Sequence, residues 1–378
     1  MPDGSNRRVL FIGLSGRDYP FVRVRCYDFA RELAKHGIST AVLSFRDHLS
    51  GGLSEVEMWD RGDREKLWMN LAALGRLLRE PGSLLYIQKI HYHAAAPFLM
   101  ARLGLNRYIL DYDDWDEGIH CLFKRPSLNR FFWGHAEYRP ILAEVARRAQ
   151  CCVVSSQLLA DRLAVFNREI HLVPTGVDTS RFTPAPRPPR SPVVFGWNGV
   201  VWGDLMYENM AFMLDCFAET ARTVPGVSLK IAGAGQQMGR VKALVAERYG
   251  TLDIAVSDWI LFTEMPAFLH SIDVGLLPLV QAENDWVNSK SPTKYFEYLA
   301  SGLPTVASPT AELRRLVADG VQGFLAGSRG EFVRAMTALA ADPVLREAMG
   351  RRARRFAEEH FSLSLLGDRL AEIVTREE

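Results

Sequence analysis

Short apolar runs bounded by glycine, with amphipathic stretches between them, recur along most of this chain. Val9–Leu14 is the first, a buried strand ending at Gly13. A polar loop follows, then a helix over about Phe21–His36 that stops at Gly37, then a second strand at Ser39–Ser44. Strand, glycine-bearing loop, helix and strand make the repeating unit of a parallel, doubly wound sheet. Further strands are predicted at Leu84–Ile87, Tyr108–Asp111 and Cys151–Ser155, and His171–Val173 leads into PTGVD. The same grammar restarts at Val193. Val193–Trp197 is a strand ending in NG, a helix covers about Tyr207–Thr223, Ser228–Ala232 is a strand ending in GAG, and Val274–Leu277 is another. The tail, Arg346–Val374, reads as helical and basic.

Between the two series lies PAPRPPRSP, Pro184–Pro192, whose proline and arginine content marks a domain boundary. The expected division is residues 1–186, 187–360 and a C-terminal helix, 361–378, that packs back towards the first domain. A length of 378 residues suits two domains, each with its own core. Two such α/β halves imply a central cleft lined by the loops at the carboxyl ends of their strands.

Charge and cysteine usage narrow the function. Lys+Arg number 45 and Asp+Glu 44, so no overall field points to nucleic acid. Five cysteines (Cys26, Cys121, Cys151, Cys152, Cys216) form no CxxC pair, which fits reduced thiols in a cytoplasmic protein and no zinc site. Arg7 and Arg8 precede only a short apolar run, which reads as a first strand and not as a secretory signal. No apolar stretch is long enough to suggest a membrane span.

The densest local signal is SKSPTKYFEYLASGLPTVASP, Ser289–Pro309. It predicts a loop, a short helix capped by Ser291 with Pro292 at its first position, and an apolar strand core in Pro304–Ser308. Lys294 lies in the first helical turn, with Lys290 just before it. The helix dipole already places about half a positive charge there, and a first-turn cation costs up to about 1 kcal/mol. A helix start that breaks the capping rule in this way points to an anion. The plainer alternative is a surface pair between Lys294 and Glu297, in the weaker Lys-before-Glu order and worth about 0.3 kcal/mol.

KSPTKYFEYLASGLPTVAS, the upstream IDVGLLPL (Ile272–Leu279) and VPTGVDTSRF (Val173–Phe182) together resemble the retaining nucleotide-sugar glycosyltransferases of family 4. RVR near Arg23, LDYDDWDEG from Leu110 and FGWNG from Phe195 resemble a bacterial branch of it. The resemblance implies the GT-B architecture, α/β with two Rossmann-like domains facing a cleft. It also implies transfer of a sugar from a nucleoside-diphosphate donor to a hydroxyl acceptor with retention of anomeric configuration. No cofactor or metal is implied beyond the donor itself. The acceptor is left open among a glycan, a lipid-linked molecule and a small molecule. The place implied is the cytoplasm or the inner face of the membrane, through a peripheral contact.

Site residues follow from the same match. Glu297 falls where the family bonds the donor ribose. Lys290, Lys294 and Thr293, together with Asn198 and Gly199 of the NG loop, fall near the diphosphate, and Phe262 lies in the segment that holds the base. Gly13 and Arg23 lie on the donor side of the first domain. Asp113 or Asp111 stands where a polar residue contacts sugar or acceptor, and His91 follows a neighbouring strand. Three departures stand out. Ser289 replaces the first glutamate of the family's pair, and Thr175 stands in PTGVD where Asn is usual. No cation lies between Val193 and Glu219, where Arg and Lys are common. A unit charge pair at 4 Å is worth about 4 kcal/mol at an effective dielectric of 20, so Lys290 and Lys294 are expected to carry more of the leaving charge.

Bland readings stand beside several of these. Arg23 and Arg25 are too close in sequence for both to enter one site; Arg23 is slightly favoured over Arg25, and a solvated pair stands level with that reading. The aspartates after Leu110 also suit a helix-capping turn. Leu122–Trp133, mixing aromatics and basic residues, suits a membrane or lipid-linked acceptor but better suits a half-buried helix. A nucleotide-sugar epimerase on the same scaffold and a degenerate transferase kept as a partner subunit are the alternative functions.

Overall fold

The computed structural model describes residues 8–186, 192–280 and 284–376, which form two compact units. The first ends at Gly176 and also takes in Ser289–Ser291 and the helix from Leu363; the second comprises Val177–Asn288 and Pro292–Ser362. The first unit thus ends ahead of the proline–arginine stretch, part of which (187–191) lies outside the described residues.

The first unit is built on a parallel sheet of β1 (Val9–Gly13), β2 (Thr40–Ser44), β3 (Leu84–Gln88), β4 (Arg107–Tyr112), β5 (Cys152–Val154) and β6 (Ile170–Leu172), in spatial order β2-β1-β3-β4-β5-β6. β1 and β3 are buried along their whole length, as near-continuous apolar runs in a covered parallel sheet should be. One face packs Phe11, Tyr86 and Ile109 against Phe29 and Leu33, together with Leu366 and Leu370 of the C-terminal helix Leu363–Thr375. The helix after β1 is not regular: Arg23–Asp28 winds as a π-helix between α-helical Pro20–Val22 and Phe29–Lys35. Such turns concentrate at functional sites. Gly13 makes room for it, since a Cβ there would lie 3.0 Å from Val22 and 3.3 Å from the Cys26 sulfur.

The second unit repeats the plan with β7 (Val193–Val200), β8 (Val227–Ala234), β9 (Ile254–Ser257), β10 (Val274–Leu277), β11 (Thr305–Ala307) and β12 (Gly323–Leu325), all parallel, in order β12-β11-β10-β7-β8-β9. Alternate residues feed two cores. Phe195, Trp197, Leu229 and Ile231 join one with the helices Gly203–Thr223 and Arg329–Ala341. Val194, Leu277 and Ala307 join the other with Thr293–Ala300 and Pro343–His360. In each unit the strand order reverses direction once, between β1 and β3 and between β7 and β10. Loops at the carboxyl ends of strands beside such a reversal are where open α/β sheets hold ligands.

The helix of the Ser289–Pro309 segment begins one step later than the capping rule predicts. Pro292, not Ser291, occupies the cap position with no side-chain cap, and the helix runs Thr293–Ala300. Ser291 is drawn elsewhere: its Oγ accepts the Thr175 N–H at 3.3 Å. Gly275 lets the buried Tyr298 ring lie flat against β10, where a Cβ would come within 2.4 Å of it.

Candidate active site

Four aspartates, Asp111, Asp113, Asp114 and Asp116, leave the end of β4 within six residues, and three of them are buried. Cations from other elements meet them. Arg25, from the π-helical turn, donates to both oxygens of Asp111 at 2.8 and 2.5 Å and to the Val173 and Pro174 carbonyls. Burial works against that guanidinium's charge, yet Asp111 holds its pKa above the ordinary arginine value. Burial lifts the Asp111 carboxyl to about 6, with Arg25 pulling it down. Arg23 is buried on the same turn.

Lys89, just past β3, meets the rest. Its Nζ lies 3.3 Å from Asp116, 3.6 Å from Asp114 and 3.9 Å from Asp113. Its backbone is left-handed, with φ of 66°, and among the described residues it is the one non-glycine with positive φ. That conformation costs roughly 1–2 kcal/mol, and it persists here because Lys89 N–H donates to the Asp111 carbonyl at 2.8 Å while the ammonium sits among carboxylates. Strain of this kind gathers at functional sites. Burial works against the Lys89 charge, and Asp116, then Asp113 and Asp114, raise its pKa above the usual lysine value. Lys290 belongs to this cluster as well. Burial lowers its pKa, against Asp114, and Asp114 itself is held below its ordinary value by Lys290 and Lys89 despite burial.

His91 is buried beside them. Its Nδ1 accepts the Cys121 N–H at 3.0 Å, which leaves the proton on Nε2, 3.9 Å from Asp116 Oδ2. Burial first, then Lys89, keeps this imidazole neutral, with its pKa well below the usual range. Gln88 donates to Asp113 Oδ1 at 2.9 Å and Ser155 to its carbonyl at 2.7 Å. The structure therefore draws Asp111, Asp113 and His91 into one network, and it adds Arg25, Lys89 and Asp116. Among the described residues no group of three or more His, Cys, Asp or Glu is arranged to hold a metal ion; the partners of these carboxylates are cations.

The second unit presents a separate constellation at the carboxyl end of β7. The Tyr298 hydroxyl donates to Asn198 Oδ1 at 3.1 Å. Lys294 reaches over the same strand end, its Nζ 4.4 Å from the centre of the Trp197 ring. A Cβ on Gly199 would lie 2.6 Å from that Nζ, so glycine keeps the place open. Lys294 thus brings a cation to the strand end whose own loop carries none. Glu297 is buried one turn further along the same helix, and Thr293 opens that helix. Phe262 packs beside Phe182, ring centres 5.9 Å apart, with Arg181 4.5 Å over its ring.

Two family models match. Residues 22–181 match the model described as Glycosyltransferase Family 4, and residues 196–342 the one described as Glycosyl transferases group 1. The chain belongs to these glycosyltransferases. Its two Rossmann-like domains are those of the GT-B fold, and solved structures agree. A sucrose-phosphate synthase from Thermosynechococcus elongatus superposes with a TM-score of 0.73 at 12% identity, covering 97% of this chain and 98% of that one. Anabaena HepE, solved in complex with UDP-glucose, does so with 0.68 at 14%, covering 97% and 99%. A GDP-mannose-dependent alpha-(1-6)-phosphatidylinositol monomannoside mannosyltransferase from Mycolicibacterium smegmatis is 27% identical over 223 residues, 54% of this chain and 55% of that protein. The chain spans about half the length of that relative.

Arg25 and Lys89 are the residues that reading the sequence passed over. Favouring Arg23 assumed a regular helix, whereas the π-helical turn accommodates both arginines in buried positions and sends Arg25 to Asp111. For Lys89 one signal was available: a cation at a strand end next to an aspartate-rich strand end.

Two outcomes check the network. Replacing Lys89 with Met is expected to destabilise the fold by about 3 kcal/mol or more, because carboxylates stay buried without their cation; a denaturant titration reads this. The second concerns Asp116, whose carboxyl burial pushes up to about 7 while Lys89 draws it down. Its folded value lies above the unfolded value of about 3.9, so between about pH 4 and 7 only the folded state keeps the proton. Its stabilising contribution is present at low pH and is lost as pH rises through that window. In Tm scans across the window, Asp116→Asn should lack that loss and gain on wild type as pH rises; parallel curves would refute it.

Proposed function

We propose that this chain transfers a sugar, of hexose type, from a nucleoside-diphosphate donor to a hydroxyl acceptor with retention of anomeric configuration. The observation that carries the reading is Lys294 Nζ poised over the Asn198–Gly199 strand end, with Glu297 one turn along. Expelling a diphosphate requires cations and N–H donors where negative charge accumulates. Lys294 supplies the cation, the Thr293 end of its helix adds dipole, and Glu297 receives the ribose hydroxyls. Phe262 takes the base. Lys290 and Arg23 add positive charge and Gly13 allows close approach of the donor.

The sugar and acceptor fall to the aspartate network of the first unit. Asp111, both oxygens engaged by Arg25, fixes the end of β4. Asp113 then serves the sugar carbon, where oxocarbenium character develops, or the acceptor hydroxyl, and the neutral His91 serves as a hydrogen-bond partner. No enzymic nucleophile is assigned: a donor phosphate oxygen takes the acceptor proton. Names among the relatives support this reading. One mannosyltransferase uses GDP-mannose, and HepE was solved with UDP-glucose. A bacterial glycan, glycolipid or glycosylated metabolite is the product class, made in the cytoplasm or at the inner face of the membrane without a metal.

Thermal-shift screening with UDP, GDP, ADP and dTDP is expected to raise Tm with one of them, and Glu297→Ala to abolish that rise while leaving the unliganded Tm within a few degrees. NMR of the product from the matching sugar donor should show the donor's anomeric configuration. No shift with any nucleotide, or an inverted product, would overturn the reading.

A further inference from the structure

The helix Asp63–Leu77 of the first unit turns large apolar side chains outward as well as inward. Its inward face carries Met69, Ala73 and Leu77 together with two polar groups: Lys66 is buried and donates to the Leu122 carbonyl at 2.6 Å, and Asn70 is buried and bonds Tyr92 and Ala96. Its outward face carries further large apolar side chains. Trp68 is 72% exposed, Leu71 60% and Leu78, at the helix end, 56%. Positions 64, 68, 71, 75 and 78 follow the four-then-three spacing of a single helical stripe. A helix buries its apolar stripe unless something outside the fold takes it.

Charge says what that is. Arg64, Arg76 and Arg79 lie on or beside this stripe, and none makes an ion pair among the described residues. The neighbouring acids are answered elsewhere: Glu65 pairs with Arg61 at 2.8 Å and Glu80 with Arg8 at 2.6 Å. The face is therefore an apolar strip with a cationic border. Tryptophan and leucine flanked by arginine form the pattern of a helix lying in a bilayer interface, rings at headgroup depth and guanidinium groups on lipid phosphates. The aromatic stretch Leu122–Trp133 does not compete for this role. Leu122, Phe123, Phe132 and Trp133 are buried, and only Phe131, 64% exposed, is turned out.

We propose that the Trp68–Leu71–Leu78 face docks this chain onto an anionic lipid bilayer. The inference does not rest on the transferase reading. No helix among the described residues is long and apolar enough to cross a membrane, so the contact lies at the surface and is reversible. Co-sedimentation of the full chain with vesicles containing phosphatidylglycerol tests it against vesicles of phosphatidylcholine alone. Binding is expected to the anionic vesicles only and to weaken as salt approaches about 1 M, where the screening length is roughly 3 Å. Trp68→Ser with Leu71→Ser should weaken it about tenfold or more, as should Arg64→Glu with Arg79→Glu. Val165→Ser, at an exposed apolar position outside the strip, should leave it unchanged. Thermal melts that match wild type show that these surface variants fold. Equal sedimentation of wild type and the double variants would overturn the proposal. So would a dimer, dispersed by Trp68→Ser, with no vesicle binding, which would give the face to a second copy of the chain.

Discussion

Gathering four aspartates at the end of one strand, three of them buried, is a constraint that the first unit must answer with positive charge. A buried carboxylate without a partner costs several kcal/mol, more than any local hydrogen bond returns. Arg25 answers Asp111 by a two-point fork, Lys89 answers Asp113, Asp114 and Asp116 by a single point charge, and Lys290 adds a second point at Asp114. Each consequence follows from that demand. The helix after β1 winds as a π turn where Arg25 points to Asp111. Lys89 accepts a left-handed backbone, and His91, left neutral between Lys89 and Asp116, keeps its Nε2 proton.

The second unit meets a different constraint with fewer charges. Its β7 loop contains no lysine or arginine, so any cation at that strand end comes from another element. Lys294 supplies it from the neighbouring helix, and three small or flat features make that reach fit: the open space over Gly199, the Trp197 ring beneath the ammonium, and Gly275 admitting the Tyr298 ring that fixes Asn198. A lysine in a first helical turn is unfavourable for the helix alone. Its place over a strand end explains why that cost is tolerated.

Much of the architecture was legible in the sequence because parallel strands buried on both faces read as uninterrupted apolar runs. β1, β3, β10 and β11 did so. β9 and β12 did not: they are edge strands of four and three residues, and β9 is only half-buried. Helix-end electrostatics and family resemblance together singled out Lys294 and Glu297, and the structure sets Lys294 beside Gly199 and buries Glu297. The Ser291 cap was misplaced because a tertiary partner, the Thr175 N–H, competes for its oxygen. The left-handed backbone of Lys89 was hidden because nothing in a one-dimensional pattern reports it, although its place at a strand end was readable, and the outward face of Asp63–Leu77 was hidden because periodicity finds a stripe without saying which way it points.

The central claim is that the strand end at Asn198–Gly199 takes a diphosphate through Lys294. Isothermal titration of wild type and Lys294→Gln with the nucleoside diphosphate that binds best tests it most directly. One charge-assisted contact of about 1.5–3 kcal/mol predicts a Kd raised by roughly tenfold to a hundredfold, with the corresponding nucleoside, which lacks phosphate, equally weak for both proteins. An unchanged Kd for the diphosphate in Lys294→Gln would contradict the account.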